Sequence, residues 1–349
     1  MLLKELTMAR GMSGDEHEIR EVIKSYINSH VDECRRDITG NLYAIKSGRK
    51  IDKKVMLAAH MDEVGLMITS ITDSGMLKFR AIGGIDDRIL ASKRVLVGTK
   101  KIPGIIGIKP VHLLEGNERK QGIKIKQVYI DIGCTKKEEA ERLVSLGDYV
   151  YYDSEFVDMG NGILKSKAFD DRVGCAVLIE ILKQRYEFTL QACFTVQEEI
   201  GLRGSGIAAY TLKPDIAIII EGTTCSDVAG SEEHEMVTRM RGGPAISIID
   251  KTSIGNKGLV KALLETAREN NIKVQIKEGV YGGTDAGKIQ TSMEGIPTVV
   301  ISIPCRYIHS PNSIMCIDDL NDTVNLIDRF FRKLEGNNFS LETKISPES

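Results

Sequence analysis

Five side chains able to bind a divalent metal, His60, Asp170, Glu199, Glu221 and His309, stand at comparable points along this sequence. His60, with Asp62 two residues on, follows the apolar run 55–59. Glu198 and Glu199 follow the run that ends at Val196-Gln197, Glu221 follows 216–220, and His309 lies just beyond 298–304. Asp170 opens a helix expected from Arg172. Two imidazoles and three carboxylates suit two hard-to-borderline ions such as Zn²⁺, Co²⁺ or Mn²⁺. If one carboxylate bridges, each ion receives three protein ligands and keeps an open position for water, which is the arrangement of a catalytic site. Two ions ~3.5–4 Å apart can share a hydroxide nucleophile and polarise a scissile carbonyl. A carboxylate that is not a ligand must then carry the water's proton to the leaving amine. Adjacent Glu198 and Glu199 suit that division, one facing the metal and the other the water. Asp62 is placed to hold the His60 imidazole.

Taken singly, each signal is modest. The His60-Met61-Asp62 triplet is too short to be specific, and Asp170-Asp171 could merely cap a helix. Glu198-Glu199 and Glu221 are less ordinary, because charges rarely follow apolar strand residues directly. His17, His30, His112 and His234 read as structural or surface residues.

The elements that must position these groups alternate in type. Ser13-Gly14-Asp15-Glu16 reads as a capping box before a helix with apolar positions Ile19, Val22, Ile23 and Ile27. The run 55–59 has no alternation, as expected of a strand covered on both faces. Strands are expected at 191–196, 216–220, 273–276 and 298–303, and helices at 172–184, 258–270 and 320–334. Four polar clusters at the carboxyl ends of four such strands converge on one edge of a mainly parallel sheet, where these sheets place ligands. Between about 65 and 162 the character changes. Short β-prone pieces (66–71, 94–97, 105–108, 127–132, 149–152) separated by Gly, Pro and charged turns predict a small β domain inserted into an α/β domain. The division is residues 1–65 plus 163–335 for the catalytic α/β domain, 66–162 for the inserted domain, and 336–349 for a polar tail.

Composition narrows the function classes. The 349 residues are 42% hydrophobic, ample for a large core. Lys+Arg 47 against Asp+Glu 49 leaves a net charge of -2, which disfavours a nucleic-acid partner. The longest apolar runs are strand-sized, so no membrane span is expected. The opening MLLKELTMARG has no apolar signal core. Seven dispersed cysteines without CxxC pairing suggest reduced thiols and a cytoplasmic location. Aromatics at 5% with no Trp slightly disfavour a carbohydrate groove.

The sequence resembles the tetrahedral aminopeptidases, a dinuclear-metal family that includes glutamyl aminopeptidases and proteins labelled "cellulase M". The resemblance covers nearly the whole chain. It is carried by residues 59–65 (AHMDEVG), 168–172 (AFDDR), 196–201 (VQEEIG), 282–286 (GGTDA) and 304–310 (PCRYIHS) in that order, with 83–85 and 107–112 similar to the family's inserted domain. It implies a zinc-exopeptidase-like α/β fold and peptide substrates cleaved at the N-terminus. One metal would sit on His60, Asp170 and Glu221, and the other on Asp170, Glu199 and His309. Glu198 would be the general base and Asp62 the orienting residue. It also implies a homo-oligomer of twelve subunits in a tetrahedral shell. One departure stands out: the strand-end ligand is commonly Asp followed by Val-Thr, whereas here Glu221-Gly222-Thr223-Thr224 stands.

Other chemistries fit less well. A deacylase or carboxypeptidase using the same two metals is the main competitor, separable by dependence on a free amine. A glycoside hydrolase needs two carboxylates flanking the bond and has no general use for two strand-end histidines. A non-catalytic scaffold would not need all five ligands and the base.

Overall fold

The computed structural model describes residues 1–116 and 122–336; most of the polar tail expected at 336–349 lies outside that range. Three strands open the main sheet: β1 (Glu33–Arg36), β2 (Leu42–Lys46) and β3 (Lys54–His60). Six more close a separate barrel: β4 (Gly65–Ile71), β5 (Leu77–Ile82), β6 (Arg94–Val97), β7 (Ile102–Gly107), β8 (Tyr129–Asp131) and β9 (Tyr149–Tyr152). The chain then returns to the main sheet with β10 (Val157–Asp158), β11 (Ile163–Ser166), β12 (Thr189–Thr195), β13 (Ile216–Thr224), β14 (Ala245–Ser247), β15 (Gln275–Ile276), β16 (Thr298–Arg306) and β17 (Ser313–Cys316). Among the described residues eight α-helices accompany them: α1 (Leu2–Met8), α2 (His17–Ile27), α3 (Lys137–Glu141), α4 (Phe169–Leu182), α5 (Ser205–Leu212), α6 (Lys257–Glu269), α7 (Ala286–Gln290) and α8 (Ile317–Glu335).

The main sheet runs β1-β2-β12-β3-β13-β16-β17-β11-β10, with β14 and β15 attached beside β16. Its four central strands, β12, β3, β13 and β16, are mutually parallel, while the strands beyond them on the path pair antiparallel. The site therefore depends on the parallel middle, whose carboxyl ends share one edge. Period-two alternation divides the core between the two faces of the sheet. Leu57, Ala59, Ile218, Ile220, Ile301 and Ile303 pack with α2, α4, α6 and α8. Met56, Ala58, Ala217, Ile219 and Val300 pack with the shorter α5 and α7. Each of the larger aliphatic side chains buried this way contributes roughly 1.5–3 kcal/mol. Helix α4 is apolar on most sides because neighbours cover it, with Val173, Val177, Ile179, Ile181 and Leu182 all inaccessible and Glu180 left at the surface. The barrel has a core of its own, centred on Leu66, Leu77, Val97, Ile106, Ile130 and Val150.

Two local expectations change. The run 77–82 is a strand absent from the expected set, although Lys78 and Arg80 alternate with inward Leu77 and Phe79 as a half-buried strand requires. The box at Ser13 does not cap α2. The Ser13 hydroxyl donates to Asp62 at 2.6 Å, and the Glu16 carboxylate accepts instead from the amides of Gly14 (2.8 Å) and Gln197 (3.3 Å).

Candidate active site

Strand register brings the first two ligands together. Ala58 pairs with Ile219 on parallel neighbours, so two residues further on His60 and Glu221 stand side by side. His60 Nε2 lies 3.5 Å from Glu221 Oε2 and 3.3 Å from Asp170 Oδ1. Asp170 arrives from the start of α4, where it and Asp171 have non-helical backbone angles and regular helix begins at Arg172. The other oxygen of Asp170 lies 3.2 Å from His309 Nε2, which is also 3.3 Å from Glu199 Oε1. Asp170 thus stands between two imidazoles, one on each carboxylate oxygen.

Both imidazoles are held from behind by main-chain carbonyls. His60 Nδ1 donates to Asp62 O at 3.0 Å, and His309 Nδ1 donates to Gly84 O at 2.7 Å. Each bond turns Nε2 towards the cluster, the arrangement found in metal-ligating histidines. Gly84 belongs to the barrel, which therefore forms one wall of the site. Its neighbour Gly83 has φ 82°, and a Cβ there would lie 2.7 Å from Val64 and 3.2 Å from the Glu199 Cβ, so only glycine permits this approach.

Asp62 is wholly buried. Its oxygens accept from the amides of Glu198 (3.0 Å) and Glu199 (3.1 Å) and from Ser13, and its Oδ1 stands 3.5 Å from His60 Nδ1. The carboxylate thus fixes the loop carrying the two glutamates at least as directly as it touches the imidazole. Glu198 Oε2 is 4.0 Å from His60 Nε2. Non-glycine residues in left-handed conformation sit next to several site groups: Ala168, Gln197, Tyr307 and His309 itself, with φ of 55°, 57°, 59° and 58°. Such backbone persists only where the surrounding structure fixes it, and it is common at functional sites.

The electrostatics are those of a crowded anionic pocket. Burial pushes Glu198 well above the usual carboxylate range, and it pushes Glu199 up to about 8 and Glu221 up to about 7; neighbouring carboxylates add to each shift. Burial opposes charge on His60, but Asp170, Asp62 and Glu221 more than offset it and hold that imidazole well above its ordinary value. His309 is raised to about 9 in the same way, burial being outweighed by Asp170 and Glu199. Asp170, although largely shielded from water, is held below the ordinary range by the two imidazoles.

These residues fit divalent metals. Ligand atoms of Asp170, Glu199 and His309 lie within 4.8 Å of one another, as do those of His60, Asp171 and Glu221 and those of His60, Glu198 and Glu199. Glu199 Oε1 and Glu221 Oε1 are buried without a hydrogen-bond partner among the described residues, a costly state that a cation relieves. All seven residues singled out from the sequence meet in this one place. His17, His30, His112 and His234 are in none of the three clusters.

Sequence reasoning missed three contributors. Asp171, fully buried, accepts from the His60 amide at 3.2 Å and the Gly174 amide at 3.0 Å, fixing the end of β3 against α4. Asp285, also buried, accepts from the Thr195 hydroxyl at 2.5 Å behind the glutamate loop. Arg172 is inaccessible and donates to the carbonyls of Met61, Leu6, Ala9 and Gly11, tying the N-terminal segment to the loop after β3. The only sequence signal was the adjacency of Asp171 and Arg172 to Asp170 and the presence of Asp285 in the 282–286 stretch.

A parallel-centred α/β sheet with imidazoles and carboxylates gathered at its carboxyl edge, walled by an inserted barrel, is an arrangement suited to hydrolysis assisted by divalent metals. Residues 40–326 match the model of the M42 glutamyl aminopeptidase family, and the chain belongs to that family. The glutamyl aminopeptidase of Lactococcus lactis is 31% identical over 328 residues, covering 91% of each chain. A TET aminopeptidase from a marine-sediment Thaumarchaeota archaeon superposes with a TM-score of 0.92 at 36% identity, covering 96% of both chains. The Pyrococcus horikoshii TET1 peptidase, which can assemble into a tetrahedron or a large octahedral shell, superposes with a TM-score of 0.83 at 35% identity, covering 94% of this chain and 97% of that one.

Proposed function

We propose that the chain is an aminopeptidase that removes residues from peptide N-termini with two divalent metal ions, Glu198 serving as general base. The observation that carries this reading is the position of Asp170 between His60 Nε2 at 3.3 Å and His309 Nε2 at 3.2 Å. In it, His60, Asp170 and Glu221 hold one ion, and Asp170, Glu199 and His309 hold the other. Nitrogen and oxygen ligands of this kind suit Zn²⁺ or Co²⁺ and also accept Mn²⁺. When bound, such ions acidify a water and polarise the scissile carbonyl.

The protein's own groups do the rest. Glu198 takes a proton from the attacking water and returns it to the leaving amine nitrogen, a role open to a carboxylate beside the cluster that is not itself one of the ligands. Asp62 orients both the His60 ring and the loop that carries Glu198 and Glu199. The peptide enters through the cavity of ≈ 850 Å³ beside His309, which Gly84, Thr224, Tyr307 and Ile314 help to line.

The chain acts as a homo-oligomer, a tetrahedral dodecamer, with the segment 66–162 as an inserted domain serving assembly and substrate access. The tetrahedral assembly of the TET1 relative supports this. A cytoplasmic location is supported by seven cysteines that are all unpaired. Among the described residues no helix is long and apolar enough to cross a membrane. The test is Glu198→Gln, which keeps size and removes the base. The variant should bind two metals per chain yet lose about 10²–10⁴ in turnover; near-normal turnover would remove Glu198 from the mechanism.

A further inference from the structure

Glu199 and His309 help to line a small, partly enclosed cavity of ≈ 10 Å³. Its wall includes Tyr152 from the barrel strand β9, Glu199, Asp170, His309, Ser310 and Ser313. The Tyr152 hydroxyl is buried and has no hydrogen-bond partner among the described residues; Glu199 Oε1 makes no hydrogen bond there either, although His309 Nε2 stands 3.3 Å from it. A buried tyrosine hydroxyl without a partner is costly and needs an explanation. The hydroxyls of Ser310 and Ser313 donate to the carbonyls of Tyr307 (2.6 Å) and Arg306 (3.0 Å), and the Ser310 oxygen accepts from the Asn312 amide (3.2 Å). A polar cavity of this size holds one water, and two to four polar partners suffice to order it.

We propose that Tyr152 is a positioning residue for Glu199, acting through one water held in this cavity. The hydroxyl donates to the water, and the water donates to the Glu199 carboxylate and to one further oxygen of the wall. Burial holds the phenol protonated, so it remains a donor across the working pH range. The link gives the barrel a second hold on the metal site, complementing the bond from His309 to Gly84. Carboxylates that bind metals are themselves held by hydrogen bonds, and losing such a partner typically costs 10–100-fold in metal affinity or activity.

The inference rests on the two-metal reading above, and its test separates the two. Metal-free wild type and Tyr152→Phe are titrated with Co²⁺, following the visible absorption of the bound ion, with melting temperatures measured in parallel. Wild type should bind two ions. The variant should bind one with unchanged affinity and the other roughly tenfold or more weakly, at a melting temperature close to wild type. Two ions bound by both proteins with the same affinities would overturn the role of Tyr152 and leave the metal reading intact. Failure of wild type to bind a second ion would overturn both. A high-resolution crystal structure of the wild type adds an independent measurement: a water within hydrogen-bond distance of the Tyr152 hydroxyl and the Glu199 carboxylate supports the link, and a dry cavity overturns it.

Discussion

The carboxylate of Asp62 accepts the backbone amide of Glu198 at 3.0 Å, so the residue that steadies His60 also fixes the start of the loop that carries the proposed base. With the Glu199 amide on its second oxygen, Asp62 sets two consecutive side chains in different directions from a single anchor. Replacing Asp62 by Ala leaves those amides and the Ser13 hydroxyl without their acceptor inside a closed core. Activity should fall about 10–100-fold, and the loss should appear mainly in kcat, because the cleft wall is untouched. Steady-state kinetics on an aminoacyl-p-nitroanilide checks this, and unchanged kcat would show that the loop holds its shape unaided.

Glu221 departs from the commoner Asp, yet register places it level with His60. Glu221→Ala should lose one of two metals and most activity. Glu221→Asp should keep both, with a changed preference among Zn²⁺, Co²⁺ and Mn²⁺, because the shorter side chain withdraws its oxygens. Metal analysis of the purified variants decides the point. Two ions and full activity in Glu221→Ala would remove the residue from the site.

Arg172 lies fully inside the protein beside Glu63, which it approaches at 3.4 Å while Lys167 pairs with the same carboxylate at 2.7 Å. Arg172→Met removes the donor to four buried carbonyls, while Lys167 still balances the Glu63 charge. With each orphaned acceptor costing about 1–3 kcal/mol, the expected destabilisation is about 3–5 kcal/mol, read as a fall in the denaturation midpoint. A midpoint within experimental error of wild type would show that water or neighbouring groups replace the guanidinium.

Glu16 supplies a pH signature in the metal-free protein. Burial raises its pKa to about 7 from an ordinary value near 4.5, outweighing the amides that favour its charge. A carboxyl group raised on folding contributes stability that is fully present below its unfolded value. That stability is lost as pH rises through the folded one. Wild type should therefore lose on the order of 3 kcal/mol between about pH 4.5 and 7.5 from this group. Glu16→Gln keeps an acceptor for Gly14 and Gln197 but cannot ionise, so its stability should decline less over that interval. Parallel slopes for the two proteins would show that Glu16 titrates normally.

The central strands and the groups at their ends were legible because parallel strands covered on both faces leave unbroken apolar runs, and a charge directly after such a run marks the sheet edge. Less legible was anything fixed by contacts far apart in sequence. Ser13 and Glu16 carry a helix-capping pattern, yet Ser13 lies beside Asp62 and is drawn to it. Asp171 and Asp285 are buried only because α4 and α7 dock against the ends of β3 and β12, and neither residue has a local pattern that announces this. The margins β1, β2, β10 and β17 were also missed, being short or half-exposed. The same holds for α5 and α7, whose small residues lack a clear helical period.

The most direct test of the two-metal aminopeptidase is a panel of aminoacyl-p-nitroanilides, each with a free or an acetylated α-amine. The panel is assayed before chelation, after it, and after return of Zn²⁺, Co²⁺ or Mn²⁺. At least one free-amine substrate should be cleaved, the activity should vanish on chelation and return with two equivalents of metal, and the acetylated partner should resist. Cleavage that survives chelation, or equal cleavage of free and acetylated substrates, would contradict the account.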